Sequence, residues 1–195
     1  MMRAVTTFIP DSVLERKAYE LLSSFEMDFG RILEPPIPIN KIIERHLELD
    51  FDWDDIDDSE DEKILGFLDP STRKIHMNSR RRDHFDTYVG SEAFTQAHEV
   101  AHWQLHVTKA DEMQLEFSFV EMVSPFACTF SQRRSSTEIQ ADRYAAYLLM
   151  PHHLIRQEIE RVKLTSWVEL KTLSKRFGVT PTALRIRLEG MGLLL

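Results

Sequence analysis

The sequence predicts an α+β fold: a small antiparallel sheet, two long helices and a compact helical tail, in a chain of 195 residues. Three observations predict it. Short β-prone runs at 64–68 and 74–77 flank a turn, segments 92–107 and 137–150 carry apolar residues at helical spacing, and a second helical pattern follows residue 160. We place the boundary between a main domain, 1–160, and an appendage, 161–195. A chain of this length can bury an ordinary core without disulfides, and its lone cysteine, Cys128, has no partner to pair with. That fits a reducing cytoplasm.

From the N-terminus, Ser12 and Glu15 have the spacing of a capping box, and Val13, Leu14, Ala18, Leu21, Leu22 and Phe25 form one apolar stripe of a helix ending before Gly30. The prolines of Pro35-Pro36-Ile37-Pro38 force an extended connection, after which a helix capped near Asn40 runs to about Leu47. The two β-prone runs are joined by Asp69-Pro70-Ser71-Thr72, where proline presets the turn dihedral and aspartate caps it, so a hairpin is expected. Residues 115–120 and 125–129 are two more candidate strands. Pro151 stops the helix over 137–150.

The formal charge of −8 says less about partners than its size suggests. Nine of the 32 acidic residues fall in DFDWDDIDDSEDE, residues 50–62, and the other 23 face 24 basic ones. We read this stretch as a solvated acidic loop. Asp50, Asp52 and Asp54 have the spacing of a calcium loop, but Asp55 stands where its glycine belongs and Asp61 where its glutamate belongs. Arg80-Arg81-Arg82 reads as a solvated turn, with a contact to substrate or to the acidic loop as the alternative. No run approaches the roughly 18 apolar residues of a membrane-spanning helix, and MMRAVTTFIPDS lacks the blocks of a secretory signal.

Chemistry concentrates in FTQAHEVAHWQLH, residues 94–106. On a helix, His98 and His102 lie about 40° and about 6 Å apart, so two imidazoles converge on one point. Glu99 lies about 100° round, placed to act on a water at that point as a general base. Apolar residues on two faces of this helix predict burial between layers, where unpartnered histidines and a glutamate would cost several kcal/mol. A metal ion would remove that cost. His106 continues the four-residue series, but about 12 Å of axial distance from His98 excludes it as a third ligand, so we assign it a hydrogen bond behind the ligands or within the core. A third histidine six residues after His102 is excluded too, because Thr108 stands there.

Glu138-Ile139-Gln140-Ala141-Asp142 supplies the missing group. Glu138 and Asp142 share one helix face, which Ala145 continues with a side chain small enough for close packing. Glu138 would complete a two-histidine, one-glutamate zinc site, and Asp142 would accept a hydrogen bond from a ligand histidine and fix its tautomer. Taken alone the pair would read as an exposed charged face; beside the histidine motif it reads as ligand and orienter. Glu116 and Glu121 are weaker substitutes.

These residues resemble the ImmA/IrrE-type metallopeptidases, which have a gluzincin-like site. The resemblance rests on FTQAHEVAHWQLH, on STEIQADRYAAYLLMP at 136–151 and on an upstream hairpin ending in IHMN, and it covers the chain from about residue 35. It implies a zincin-like metallopeptidase domain with one zinc ion per chain, held by His98, His102 and Glu138, with Glu99 catalytic. The dense acidic stretch, Val100-Ala101 in place of the more usual Leu-Gly, and the long interval from His102 to Glu138 depart from the family pattern.

In the tail, Leu170, Leu173 and Phe177 form a stripe, Gly178-Val179-Thr180 a turn, and Thr180-Pro181 the cap of a helix carrying Leu184 and Leu188. That is a helix-turn-helix-like pattern. From Lys163 onward there are six basic residues against two acidic ones, so direct DNA binding is one option. Arg185 and Arg187 diverge on a helix, however, and the resemblance implies docking of a helix-turn-helix repressor instead. Two expectations of different class result. One is a cytoplasmic zinc endopeptidase that hydrolyses a peptide bond in a specific protein, such as a helix-turn-helix transcriptional repressor. The other is a non-catalytic regulatory module that binds a partner protein or DNA through the tail. The substrate, the donor to the oxyanion and the oligomeric state stay open.

Overall fold

A computed structural model describes residues 8–57, 63–107, 126–129, 135–162, 164 and 166–194. The elements run α1 (Asp11–Phe29), α2 (Ile39–Lys41) continued by a π turn (Ile42–His46), β1 (Asp50–Asp54), β2 (Ile64–Asp69), β3 (Lys74–Asn78), a 3-10 turn (Ser79–Arg81), α3 (Arg82–Thr87) and α4 (Ser91–His106). After these come β4 (Phe126–Thr129), α5 (Ser136–Leu149), α6 (His152–Arg161), α7 (Trp167–Phe177) and α8 (Pro181–Gly190). The fold is mixed α and β. Strand 115–120, Glu116 and Glu121 lie outside the described residues.

Among the described residues the strands are ordered β1-β3-β2-β4. β2 pairs antiparallel with β3 and with β4, but β1 runs parallel to β3, so the expected antiparallel sheet is in fact mixed. β1 is also a correction to the acidic loop. Its acids at 50, 52 and 54 alternate with Phe51 and Trp53, which are opposite Ile75 and Met77 of β3, so the spacing of a calcium loop was the two-residue period of a strand. Phe51 packs against the core, while Asp52 bonds Lys74 at 3.1 Å and Asp54 bonds His76 on the other face.

Arg80 pairs with Asp55 and Asp57, and Arg82 lies over the Trp53 ring at 4.3 Å. Of the two readings of the arginine run, contact with the acidic segment is the one found at Arg80. The hairpin turn is capped as expected: Asp69 accepts from the Ser71 backbone at 2.9 Å and from Thr72 Oγ1 at 2.9 Å. At α1 the expected capping box does not form. The helix starts at Asp11 behind Pro10 with no side-chain cap, so Ser12 already lies inside it.

The core lies between the sheet and the helices. α4 packs against β2 and against α5, and α5 in turn packs against α1. The approach of β2 to α4 depends on Gly66, where an added Cβ would sit 2.8 Å from the His76 carbonyl oxygen and 3.2 Å from Thr95. Leu170, Leu173, Phe177, Val179, Leu184 and Leu188 of the tail join the same hydrophobic cluster as Ala97, Val100 and Ala145. Two charged contacts reinforce that seam. Glu158, fully buried, accepts through Oε1 from Arg176 at 3.1 Å and from Arg161 at 3.0 Å, and its Oε2 lies 3.0 Å from Arg176 Nη1. Arg187, 8% exposed, donates to the Met150 carbonyl at 3.2 Å, pairs with Glu15 and stacks on Tyr147. Among the described residues no helix is long and apolar enough to cross a membrane.

Candidate metal centre

α4 is buried from Thr95 to Trp103, as apolar residues on both flanks of its histidine stripe require. It opens at Gly90, whose φ of 94° and approach to the Val179 backbone, 2.5 Å from where a Cβ would stand, both require glycine. This fixes the start of the helix two turns before His98. His98 is 2% exposed, and Glu99 and His102 are not exposed at all.

α5 lies against this face. Ser135 caps it, its hydroxyl accepting the Glu138 N–H at 3.2 Å, and Ala141 and Ala145 allow the two helices to approach closely. Glu138 and Asp142, one turn apart, both reach across to α4. Glu138 Oε2 lies 3.0 Å from His98 Nε2, Glu138 Oε1 lies 3.3 Å from His102 Nε2, and the two Nε2 atoms are 3.0 Å apart. On its other side His98 Nδ1 meets Asp142 Oδ1 at 3.0 Å. The structure thus brings together His98, His102, Glu138 and Asp142, with Glu99 buried beside them.

These distances test the fit of a metal. Four-coordinate zinc with bonds of about 2.0–2.1 Å places neighbouring ligand atoms about 3.3 Å apart, the edge of the tetrahedron. The two Nε2 atoms here are 3.0 Å apart, and the Glu138 carboxylate approaches each with a different oxygen, at 3.0 and 3.3 Å, so the donor groups are spaced much as neighbouring ligands of one ion would be. Two imidazole nitrogens and a carboxylate are also a donor set suited to a divalent transition metal. His98, His102 and Glu138 can therefore hold a metal ion.

The same geometry polarises the residues strongly. Burial alone would lower the His98 pKa, but the Asp142 and Glu138 carboxylates outweigh it and push it up to about 10. Burial would raise Glu138, yet His102 and His98 hold it down to about 2. His102 goes down, through burial first and the neighbouring His98 as well. The cluster thus has a carboxylate drawn towards positive charge and an imidazole drawn towards carboxylates.

His106 does not join the ligand group. Its ring lies 5.3 Å from that of His102, tilted by 48°, and it bonds the Thr137 backbone at the start of α5. Burial and the nearby His102 lower its pKa to about 4. Sequence reasoning missed Ser135, although Ser135-Ser136-Thr137-Glu138 carries the Ser-x-x-Glu capping pattern that could have found it.

Residues 57–189 match the family model described as Peptidase_M78, IrrE N-terminal-like domain. No curated protein matches the chain. Among solved structures, a Mycobacterium tuberculosis transcriptional regulator is 16% identical with a TM-score of 0.49, over 92% of this chain and 46% of that one. The chain therefore spans about half the length of that regulator.

Proposed function

This chain belongs to the Peptidase_M78 family, with an IrrE N-terminal-like domain, and from that premise we propose that it is a cytoplasmic zinc endopeptidase hydrolysing a peptide bond in a specific protein partner. The observation that carries the proposal is the convergence of His98 Nε2, His102 Nε2 and the two Glu138 carboxylate oxygens at neighbouring distances of 3.0 to 3.3 Å. In this reading one zinc ion per chain is held by those three residues. A zinc ion supplies Lewis acidity, bringing the pKa of a bound water towards about 7 and polarising a carbonyl.

The remaining work is done by the chain. Asp142 accepts the Nδ1 proton of His98, which would leave the Nε2 lone pair available to a metal ion. Glu99, one residue from a ligand and shut away from solvent, accepts the proton of the attacking water. As the carbon–nitrogen bond breaks, the same carboxyl returns that proton to the departing amine nitrogen. Burial of His98, Glu99 and His102 keeps competing water away from this exchange.

We assign the substrate to the helix-turn-helix repressors on the strength of the family resemblance, and we assign α7 and α8 a helix-turn-helix-like docking role. The Gly178 turn, with φ of 63°, and the Thr180 cap on α8 support that pattern. DNA reading by α8 is the weaker alternative: Arg187 is buried in a contact with Glu15 and Arg185 is paired with Glu189 at 2.5 Å. The test is to label new protein N-termini in cells expressing wild type or Glu99→Gln at equal zinc content. Termini within a helix-turn-helix protein that appear only with wild type are expected. Identical termini with both would overturn the endopeptidase reading.

A further inference from the structure

Two helices of this chain begin with the same four-residue capping pattern, and their carboxylates do different things. At α7, Ser166-Trp167-Val168-Glu169 forms a closed capping box: Glu169 Oε2 accepts the Ser166 N–H at 2.9 Å and Ser166 Oγ accepts the Glu169 N–H at 3.5 Å. At α5, Ser135-Ser136-Thr137-Glu138 forms only the serine half, with Ser135 Oγ accepting the Glu138 N–H at 3.2 Å. The carboxylate of Glu138 has left the box for His98 and His102.

We infer that Ser135 is a positioning residue for the metal centre, its hydroxyl holding the first turn of α5 so that Glu138 is presented to the ion while its carboxylate gives up its own capping bond. The physical reason lies in the position of Glu138 in the helix. Third in α5, it depends for its backbone conformation on the first turn, whose N–H groups have no partner within the helix. A formed first turn aims the carboxylate towards α4, whereas a frayed one releases it. Because the carboxylate is used on the imidazoles, the serine must hold the turn without the reciprocal bond that Glu169 provides at α7. The exposed Ser135 hydroxyl also lies 2.6 Å from Thr137 Oγ1, so both side chains of this turn converge on one cap. From the other side His106 bonds the Thr137 backbone, tying the same turn to the end of α4.

This inference rests on the reading of the site as a metal centre, and the experiment separates the two. The full chain is stripped of metal and titrated with zinc against a chromophoric chelator, for wild type, Ser135→Ala, Ser135→Asn and each serine variant combined with Glu138→Ala. Circular dichroism first checks that each variant is folded. A wild type without zinc affinity would remove the metal reading itself. Given a binding wild type, Ser135→Ala should bind zinc about five-fold more weakly, the loss expected for an N-cap deletion felt through the ligand. Ser135→Asn, an equally good cap, should keep wild-type affinity. In the Glu138→Ala background the Ser135 effect should vanish, because it acts through that carboxylate. Unchanged affinity in Ser135→Ala, or an equal loss with and without Glu138, would overturn the inference; so would a loss in Ser135→Asn matching that in Ser135→Ala.

Discussion

Two groups of buried charge hold this molecule together, and they differ in what neutralises them. Glu158 sits fully inside the seam between α6 and α7, gripped by Arg176 and Arg161. The carboxylates on α5 meet imidazoles, with Glu138 paired to His98 and His102 and Asp142 to His98. A carboxylate between two guanidinium groups is complete in itself, and its role is to fix the tail on the core. Two imidazole nitrogens and a carboxylate that converge on one point form an arrangement suited to a cation from outside the chain. Burial of a charge therefore does not mark function; the kind of partner does.

Substitutions can break the comparison on either side. The largest effect is expected at a ligand. His102→Ala should weaken zinc binding by more than about 100-fold, exceeding the loss of an outer-shell partner, whereas Glu158→Ala should leave affinity within about two-fold of wild type. Chelator competition on both variants reads the contrast, and similar losses would erase it. Next, Asp142→Ala should cost about 10- to 100-fold in zinc affinity by freeing the His98 ring, with unfolding in urea little changed for the zinc-loaded protein.

On the other side, Arg176→Met should destabilise the fold by about 2 kcal/mol. That is less than the loss of a fully buried pair, because the guanidinium is partly exposed and Arg161 remains. Its zinc content should match that of wild type. The smallest effect belongs to the tail cap. Ser166→Ala should cost about 1 kcal/mol in urea unfolding and leave zinc affinity unaltered, in contrast to the expected behaviour of Ser135→Ala.

The long helices were legible in the sequence because their patterns are local. Histidines four apart on an amphipathic stripe, and an acid pair four apart on the next one, need only helical pitch to be placed, and α4 and α5 begin and end within one residue of expectation. The convergence of Glu138 with His98 and His102 was legible for the same reason: each residue lies on the buried face of its own helix. Other features depended on partners far along the chain. Asp50, Asp52 and Asp54 looked like a solvated loop because nothing local announces that β3 will pair beside them and that Phe51 will reach the core. The parallel pairing of β1 with β3 follows from the path of the chain around the sheet, not from any residue in either strand. Ser12 shows the opposite failure, a local pattern without its structure, since α1 had already begun at Asp11.

In the proposed function one divalent ion bridges α4 and α5 through two nitrogens and the Glu138 carboxylate. Elemental analysis of the purified chain, dialysed against a mild chelator, tests it most directly when wild type and Glu138→Ala are compared. The expected result is about one zinc per chain in wild type and little in the variant. Equal zinc in both would contradict the account, because the ion would then be held without the residue that joins the two helices.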